Sequence, residues 1–294
     1  MIFSVLETAA PLAIAGIGAL ISERAGVLNI GLEGLMLTGA FAAVLGLSIG
    51  AGVAGSVLIA ALLACVLMSV MAFVTVYLKA NVFIAGLGIN LLAAGLVPSV
   101  SGLLFGTRGV VRPEGLSPPL LANPLADVPI AGLILGHTVF VYAAVLLAFA
   151  AMVFLYATPT GLRIRAAGTS PALARHRGIS VEKYKMIALM ISGTLAGIAG
   201  AAITLRLASY PPSVTVGRGW VALVTVYLGY RHPLGVLVAA ALFGITEVLA
   251  GAAQGVLEIP RSLLLALPYL LTLVAMIIYS VIRLIRKEAE PLGP

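Results

Sequence analysis

The side chains that could do chemistry in this sequence are the few polar groups set into apolar runs. Glu33 stands in Gly31-Leu32-Glu33-Gly34-Leu35-Met36, with Asn29 four positions earlier; Asn90 stands in Ile89-Asn90-Leu91, and Glu247 in Thr246-Glu247-Val248. A carboxylate or an amide surrounded by hydrocarbon is costly unless it is paired, hydrogen-bonded or wet. Each is therefore a candidate to line a polar path or to bind a neighbouring helix. Glu23, Arg24 and Asn29 lie close enough in sequence to share one network with Glu33. The amide of Asn90 suits either a helix partner or a polar solute, and Phe83 seven residues earlier in the same span offers a flat face for stacking. Arg206, Arg218 and Trp220 are expected to be interface anchors at the outer edge.

A second cluster lies in the basic stretch 158–186, which holds Arg163, Arg165, Arg175, Arg177, Lys183 and Lys185 against one acid, Glu182. Within it, Ser170-Pro171-Ala172-Leu173-Ala174-Arg175-His176-Arg177-Gly178 reads as a complete short helix. Ser170 can cap free amides, Pro171 suits the first helical position, and Gly178 can stop the helix in a left-handed conformation. A helix this short does not persist alone in water. It must pack on its own membrane domain or on a partner protein.

Other chemistries lack their residues. There is no G-x-x-x-x-G-K-[ST] loop for phosphates, no H-E-x-x-H and no C-x-x-C, and His137, His176 and His232 are scattered. No catalytic residue, metal or cofactor is expected. The lone cysteine, Cys65, reads as a small mid-span residue.

The elements that must position these groups follow from composition. The chain is 62% hydrophobic and only 9% charged, with a mean hydropathy of +1.18; soluble proteins carry about 25% charged residues because water-facing surface must be covered. Such a chain needs lipid as solvent, and runs of this length match helices crossing about 30 Å of hydrocarbon. The expected fold is all-α, a polytopic transmembrane bundle forming one domain over 1–294. Its nine candidate spans are 3–22, 26–48, 51–78, 81–105, 131–157, 187–205, 214–230, 233–251 and 262–282. The Gly-rich second span and the short seventh and eighth are expected to be broken or re-entrant. The start has no basic n-region, so the first helix is expected to stay. Basic residues between spans place 158–186 and the tail in the cytoplasm, 106–130 outside and the amino terminus outside; this topology accounts for the net charge of +7 without nucleic acid. It puts Glu33 about two turns from the cytoplasmic edge. Small residues four apart (Ala42, Gly46, Gly50; Gly193, Gly197, Ala201; Gly251, Gly255) predict close helix packing.

Ser22-Glu-Arg-Ala-Gly-Val-Leu-Asn-Ile-Gly-Leu-Glu-Gly-Leu-Met-Leu-Thr-Gly-Ala-Phe resembles the amino-terminal signature of permease subunits in bacterial ABC importers. The match is to the branched-chain amino acid / simple sugar / nucleoside permease family. Gly161 to Ile179, Ser192-Gly-Thr-Leu-Ala-Gly-Ile-Ala-Gly, Gly217-Arg-Gly-Trp and Leu228-Gly-Tyr-Arg-His-Pro-Leu-Gly continue the pattern over nearly the whole chain. Val82-Phe83 departs from the more polar character many members have there. The form is most like the smaller permease of nucleoside-type importers. The resemblance implies a translocation subunit without its own ATPase site. It also implies two cytoplasmic ABC ATPases (or one fused), a second related permease, an extracytoplasmic solute-binding lipoprotein and a small-molecule solute. Ser170 to Gly178 would then be the coupling helix that docks on an ATPase, and Asn90, Phe83, Glu33, Asn29 and Glu247 would line the path. The competing expectations are a simple-sugar or branched-chain amino acid permease, or an ion-coupled secondary transporter.

Overall fold

The computed structural model describes residues 2–112, 136–212 and 214–253, together with Val274 and Ile277. Most of the expected ninth span and of the outer loop, and the basic tail, lie outside these. Ten helices make up the described fold: α1 (Ile2–Arg24), α2 (Leu32–Ser48), α3 (Gly52–Val76), α4 (Val82–Phe105), α5 (Val139–Ala157), α6 (Pro159–Thr169), α7 (Pro171–His176), α8 (Val181–Leu207), α9 (Arg218–Leu228) and α10 (Pro233–Ala253). Among the described residues, six are long and apolar enough to cross a membrane, and α2 and α9 are shorter apolar helices.

The centre of the bundle is α1, apolar on every side and buried along most of its length, as expected for a helix wrapped by others. Around it pack α8, α10, α9 and α5. Helices α2, α3 and α8 approach closely because glycines remove the side chains between them. A Cβ on Gly39 would collide with the Gly197 carbonyl, and one on Gly200 with the Met36 carbonyl. Gly193 and Gly197 likewise seat against Met68 and Ala60 of α3. The expected small-residue stripe on α8 thus packs on two helices at once. Gly50 does not belong to such a stripe; it turns the chain between α2 and α3 at φ +77°.

The order of long helix, non-helical stretch, short helix and long helix occurs twice, as α1/25–31/α2/α3 and as α8/208–212 with 214–217/α9/α10. The two copies run in opposite directions. Arg24, at the end of α1, hydrogen-bonds the Arg231 carbonyl in the α9–α10 turn, so α9 finishes where α1 does. Helix α8 starts at this same end, next to α6 and α7. We call it the basic end, since Arg24, Arg231 and the 158–186 segment gather there.

With about 1.5 Å rise per residue, α9 is about 16 Å long, half of a hydrocarbon layer. The expectation of a broken second span holds: residues 25–31 enter non-helically and α2 begins at Leu32. The expectation for the seventh and eighth spans is corrected. Only α9 is a half-span, and the turn joining it to the full-length α10 lies at the basic end, not inside the protein. The stretch 158–186 is also not a loop around one short helix. It holds α6, capped by Thr158 through Gly161 N at 3.1 Å, then α7, and α8 already starts at Val181.

Candidate functional site

The two short helices begin at the same depth, and their first turns face each other across Glu33. Its carboxylate accepts from the backbone amides of Gly217 at 3.0 Å and Gly219 at 2.9 Å, the start of α9. The same group lies in the first turn of α2. One negative charge therefore sits at the positive ends of two helix dipoles and satisfies amides that hydrocarbon would leave unpaired. Counting down α9, Glu33 lies about 16 Å above the basic end. It is near the middle of the layer, deeper than the two turns read from the sequence.

Asn90 straps the other side of this break. Its Oδ1 accepts from Gly34 N at 2.8 Å and its Nδ2 donates to the Ile30 carbonyl at 2.9 Å. Asn29 is fully buried; its Oδ1 accepts from Gly31 N at 3.1 Å and its Nδ2 donates to Ser192 Oγ of α8 at 2.9 Å. A non-helical stretch inside a membrane is tolerated only where protein groups satisfy its backbone, and the two asparagines do this for Gly31 N, Gly34 N and the Ile30 carbonyl. Glu247 pairs with Arg218, both partly exposed. Arg218 is thus near mid-depth, not an anchor at the outer edge, while Arg206 does reach Thr8 near the far end of α1.

The expected single network of Glu23, Arg24, Asn29 and Glu33 is divided among three places. Glu23 pairs with Arg231 at 2.8 Å, and Arg24 reaches the Arg231 carbonyl and Tyr156 Oη, both at the basic end. Asn29 faces α8, and Glu33 faces α9. Phe83 lies in the first turn of α4 and is exposed near the basic end, away from this mid-depth layer.

At the basic end, α7 ends as the residue types foretold. Gly178 adopts φ +73°, Gly178 N donates to the Arg175 carbonyl and Ile179 N to the Ala174 carbonyl, both at 2.9 Å, which is the full Schellman pattern. Its start differs: the Ser170 hydroxyl makes no capping bond, and the Ser170 carbonyl instead accepts from Ala174 N at 2.9 Å. Ala174 is the buried residue that seats the helix, whereas Ala172, Leu173, Arg175, His176 and Arg177 are exposed. Arg175 pairs with Glu182 at 2.7 Å.

Helix α6 connects this exposed helix to the core. A Cβ on Gly168 would strike the Arg24 carbonyl and the backbone of Ala25 and Gly26, the start of the stretch that carries Asn29. Arg165 lies 4.8 Å over the Tyr156 ring, and Tyr156 stacks on His232 at 5.9 Å. The turn beside them places Tyr230 and Arg231 at φ +53° and +54°, a conformation that non-glycine residues adopt only when neighbours impose it. Sequence reading missed α6, though Thr158-Pro159 is a legible helix start; it placed this turn, between spans ending at 230 and starting at 233, but not its left-handed conformation. It also missed a buried cluster at the opposite end, where Glu7 accepts from Thr138 N at 2.7 Å and Oγ1 at 2.8 Å and Phe3 stacks on His137. Among the described residues, no group of three His, Cys, Asp or Glu is placed to hold a metal.

Two antiparallel shorter helices whose starts meet at mid-depth, satisfied by buried polar side chains, with an exposed short helix tied to them at one end, define a multi-pass membrane permease domain. Residues 1–279 match the family described as branched-chain amino acid transport system / permease component, and the chain belongs to that family as a permease subunit of an ABC importer. It is 36% identical to the guanosine ABC transporter permease protein NupQ of Bacillus subtilis, over 92% of this chain and 89% of that one. It is 30% identical to the nucleoside ABC transporter permease protein NupC of Lactococcus lactis, over 95% and 92%. It is also 36% identical to the putative glucose ABC transporter permease protein TsgC13 of Haloferax volcanii, over 83% and 74%.

Proposed function

We propose that this chain is the translocation subunit of a nucleoside importer driven by separate ATPases. The observation that carries the solute class is similarity to guanosine and nucleoside permeases over 92% and 95% of the chain, whereas a putative glucose permease at the same 36% identity as the guanosine permease matches over 83%.

The exposed Leu173, Arg175, His176 and Arg177 on α7 support its role as the coupling helix docking on a cytoplasmic ABC ATPase. Residues 158–186 and the tail are then cytoplasmic and the amino terminus outside, as the positive-inside rule prefers. ATP binding draws two ATPases together and moves α7. Through Gly168 and the Arg24–Arg231 latch, that motion reaches residues 25–31 and α9, whose first turns meet at Glu33. Asn29, Asn90, Glu33 and Glu247 belong to or support the solute path of this subunit; Phe83 serves it only near the cytoplasmic mouth. A second related permease completes the path, and a lipid-anchored binding protein delivers solute from outside. Differential affinity between inward and outward states lets ATP set direction.

The test is reconstitution of this chain with its sibling permease, ATPase and binding protein in liposomes. ATP-dependent uptake of labelled guanosine or another ribonucleoside is expected, and none when the ATPase is omitted. Uptake by the chain alone under an ion gradient would identify a secondary transporter instead. Uptake of glucose without nucleosides would select the sugar reading.

A further inference from the structure

Helix α10 has two faces with different surroundings. Val238, Leu242, Ile245 and Leu249 form one exposed apolar stripe, recurring every three or four residues as a lipid-facing row does. Glu247 lies about half a helical turn away, on the side shared with buried Val236, Ala240 and Phe243. Even so, its side chain is 36% exposed and that of its partner Arg218 31%. Gly251, one turn beyond Glu247 on this inner side, is also exposed, and a Cβ there would meet nothing within 4 Å.

The face of α10 turned into the protein is therefore closed near the basic end and open at Glu247 and Gly251, with Ala250 beside them still buried. Glu247 stands about 21 Å above Pro233, and Arg218 about 15 Å above the end of α9. At such depths a half-exposed ion pair must be wet or covered by polar groups. Of the exposed surfaces, α3 and α5 carry no charged residue at all, so they can meet lipid without this constraint.

We infer that the Arg218–Glu247 ion pair lines the aqueous solute path, on the inner face of α10 directly above the half-helix α9. This rests on the ABC-importer reading and adds to it the wall of the path and Arg218 as a path residue. Paired, the two charges present no net charge to a passing solute. The carboxylate can accept from solute hydroxyls and the guanidinium can donate to carbonyl or ring-nitrogen acceptors, a match to an uncharged ribonucleoside.

The experiment uses the full complex in membrane vesicles, with Cys65→Ser as the background and single replacements Gly251→Cys and Leu249→Cys. The two positions differ by only about 3 Å in depth but face opposite sides. A charged, membrane-impermeant methanethiosulfonate should modify Gly251→Cys at least ten-fold faster than Leu249→Cys, and the Gly251→Cys rate should change several-fold on vanadate trapping of the ATPases. A hydrocarbon-soluble maleimide should reach Leu249→Cys. Glu247→Gln, assembled in normal amount, should lower ribonucleoside uptake at least five-fold with solute affinity of the isolated binding protein unchanged. Equal slow reaction of both cysteines with the charged reagent would overturn the inference, as would a zero-length cross-link from Gly251→Cys to a cysteine placed within 262–282 of the same chain. Failure of the Cys65→Ser parent complex to take up any solute with ATP would instead refute the importer reading, whatever the labelling pattern.

Discussion

Replacing Asn90 by alanine separates a structural amide from a solute ligand. The side chain closes two hydrogen bonds, from Gly34 N at 2.8 Å and to the Ile30 carbonyl at 2.9 Å. Both partners are backbone groups flanking the start of α2, where no helical bond replaces them. Alanine leaves one donor and one acceptor without a partner in a water-poor layer. At about 1–3 kcal/mol for each unsatisfied group, the loss is about 2–6 kcal/mol. Gly34 cannot shift to compensate, because a Cβ there would already crowd the Ile89 carbonyl and Asn90 itself, so its backbone lies directly on α4. The assay is thermal unfolding of the purified permease in detergent, read by aggregation or by a fluorescent thiol probe at Cys65. At about 2–4 °C per kcal/mol, a fall of at least 4 °C in Tm is expected. Asn90→Asp keeps the acceptor for Gly34 but loses the donor to Ile30, and should fall between alanine and the parent. An unchanged Tm for Asn90→Ala together with a raised KM for solute would refute the reasoning, because it would mean the amide serves the solute and not α2.

Four further outcomes follow from other contacts. Glu33→Gln turns an amide group toward one of the two N–H donors at the start of α9; it should cost about 1.5–3 kcal/mol, measured as a lower Tm, with Glu33→Ala worse. Gly168→Ala presses a methyl into the Arg24–Gly26 backbone; the complex should still assemble and hydrolyse ATP, while uptake per ATP falls several-fold. Gly200→Ala should destabilise by about 1–3 kcal/mol, because the Met36 carbonyl it meets is backbone and cannot turn aside. Arg175→Glu with Arg177→Glu should reduce ATPase recovery in pull-downs and uptake by at least ten-fold; intact assembly and uptake would remove both arginines from the docking surface.

The membrane class, most helix positions and the α7 signature could be read from the sequence because each depends on local chemistry. Hydropathy depends on a residue and its solvent, and Pro171 and Gly178 act through their own backbone angles. Even the break before α2 was legible, since glycines weaken a helix wherever they stand. The partners of the polar residues were not legible. Nothing local distinguishes Glu33 bonding to Gly217 and Gly219, 184 and 186 positions away, from the nearer Arg24. Likewise Asn90 could have served a solute as readily as the Ile30 carbonyl. Those pairings arise only when α1, α2, α4, α8 and α9 are packed together and hydrocarbon excludes water from competing. Sequence thus determined which groups must find partners in the membrane, because the cost of an unpaired polar group there is a property of the group. Tertiary structure alone decided which partners they found, because a hydrogen bond requires atoms about 3 Å apart, and only the packed helices set that distance.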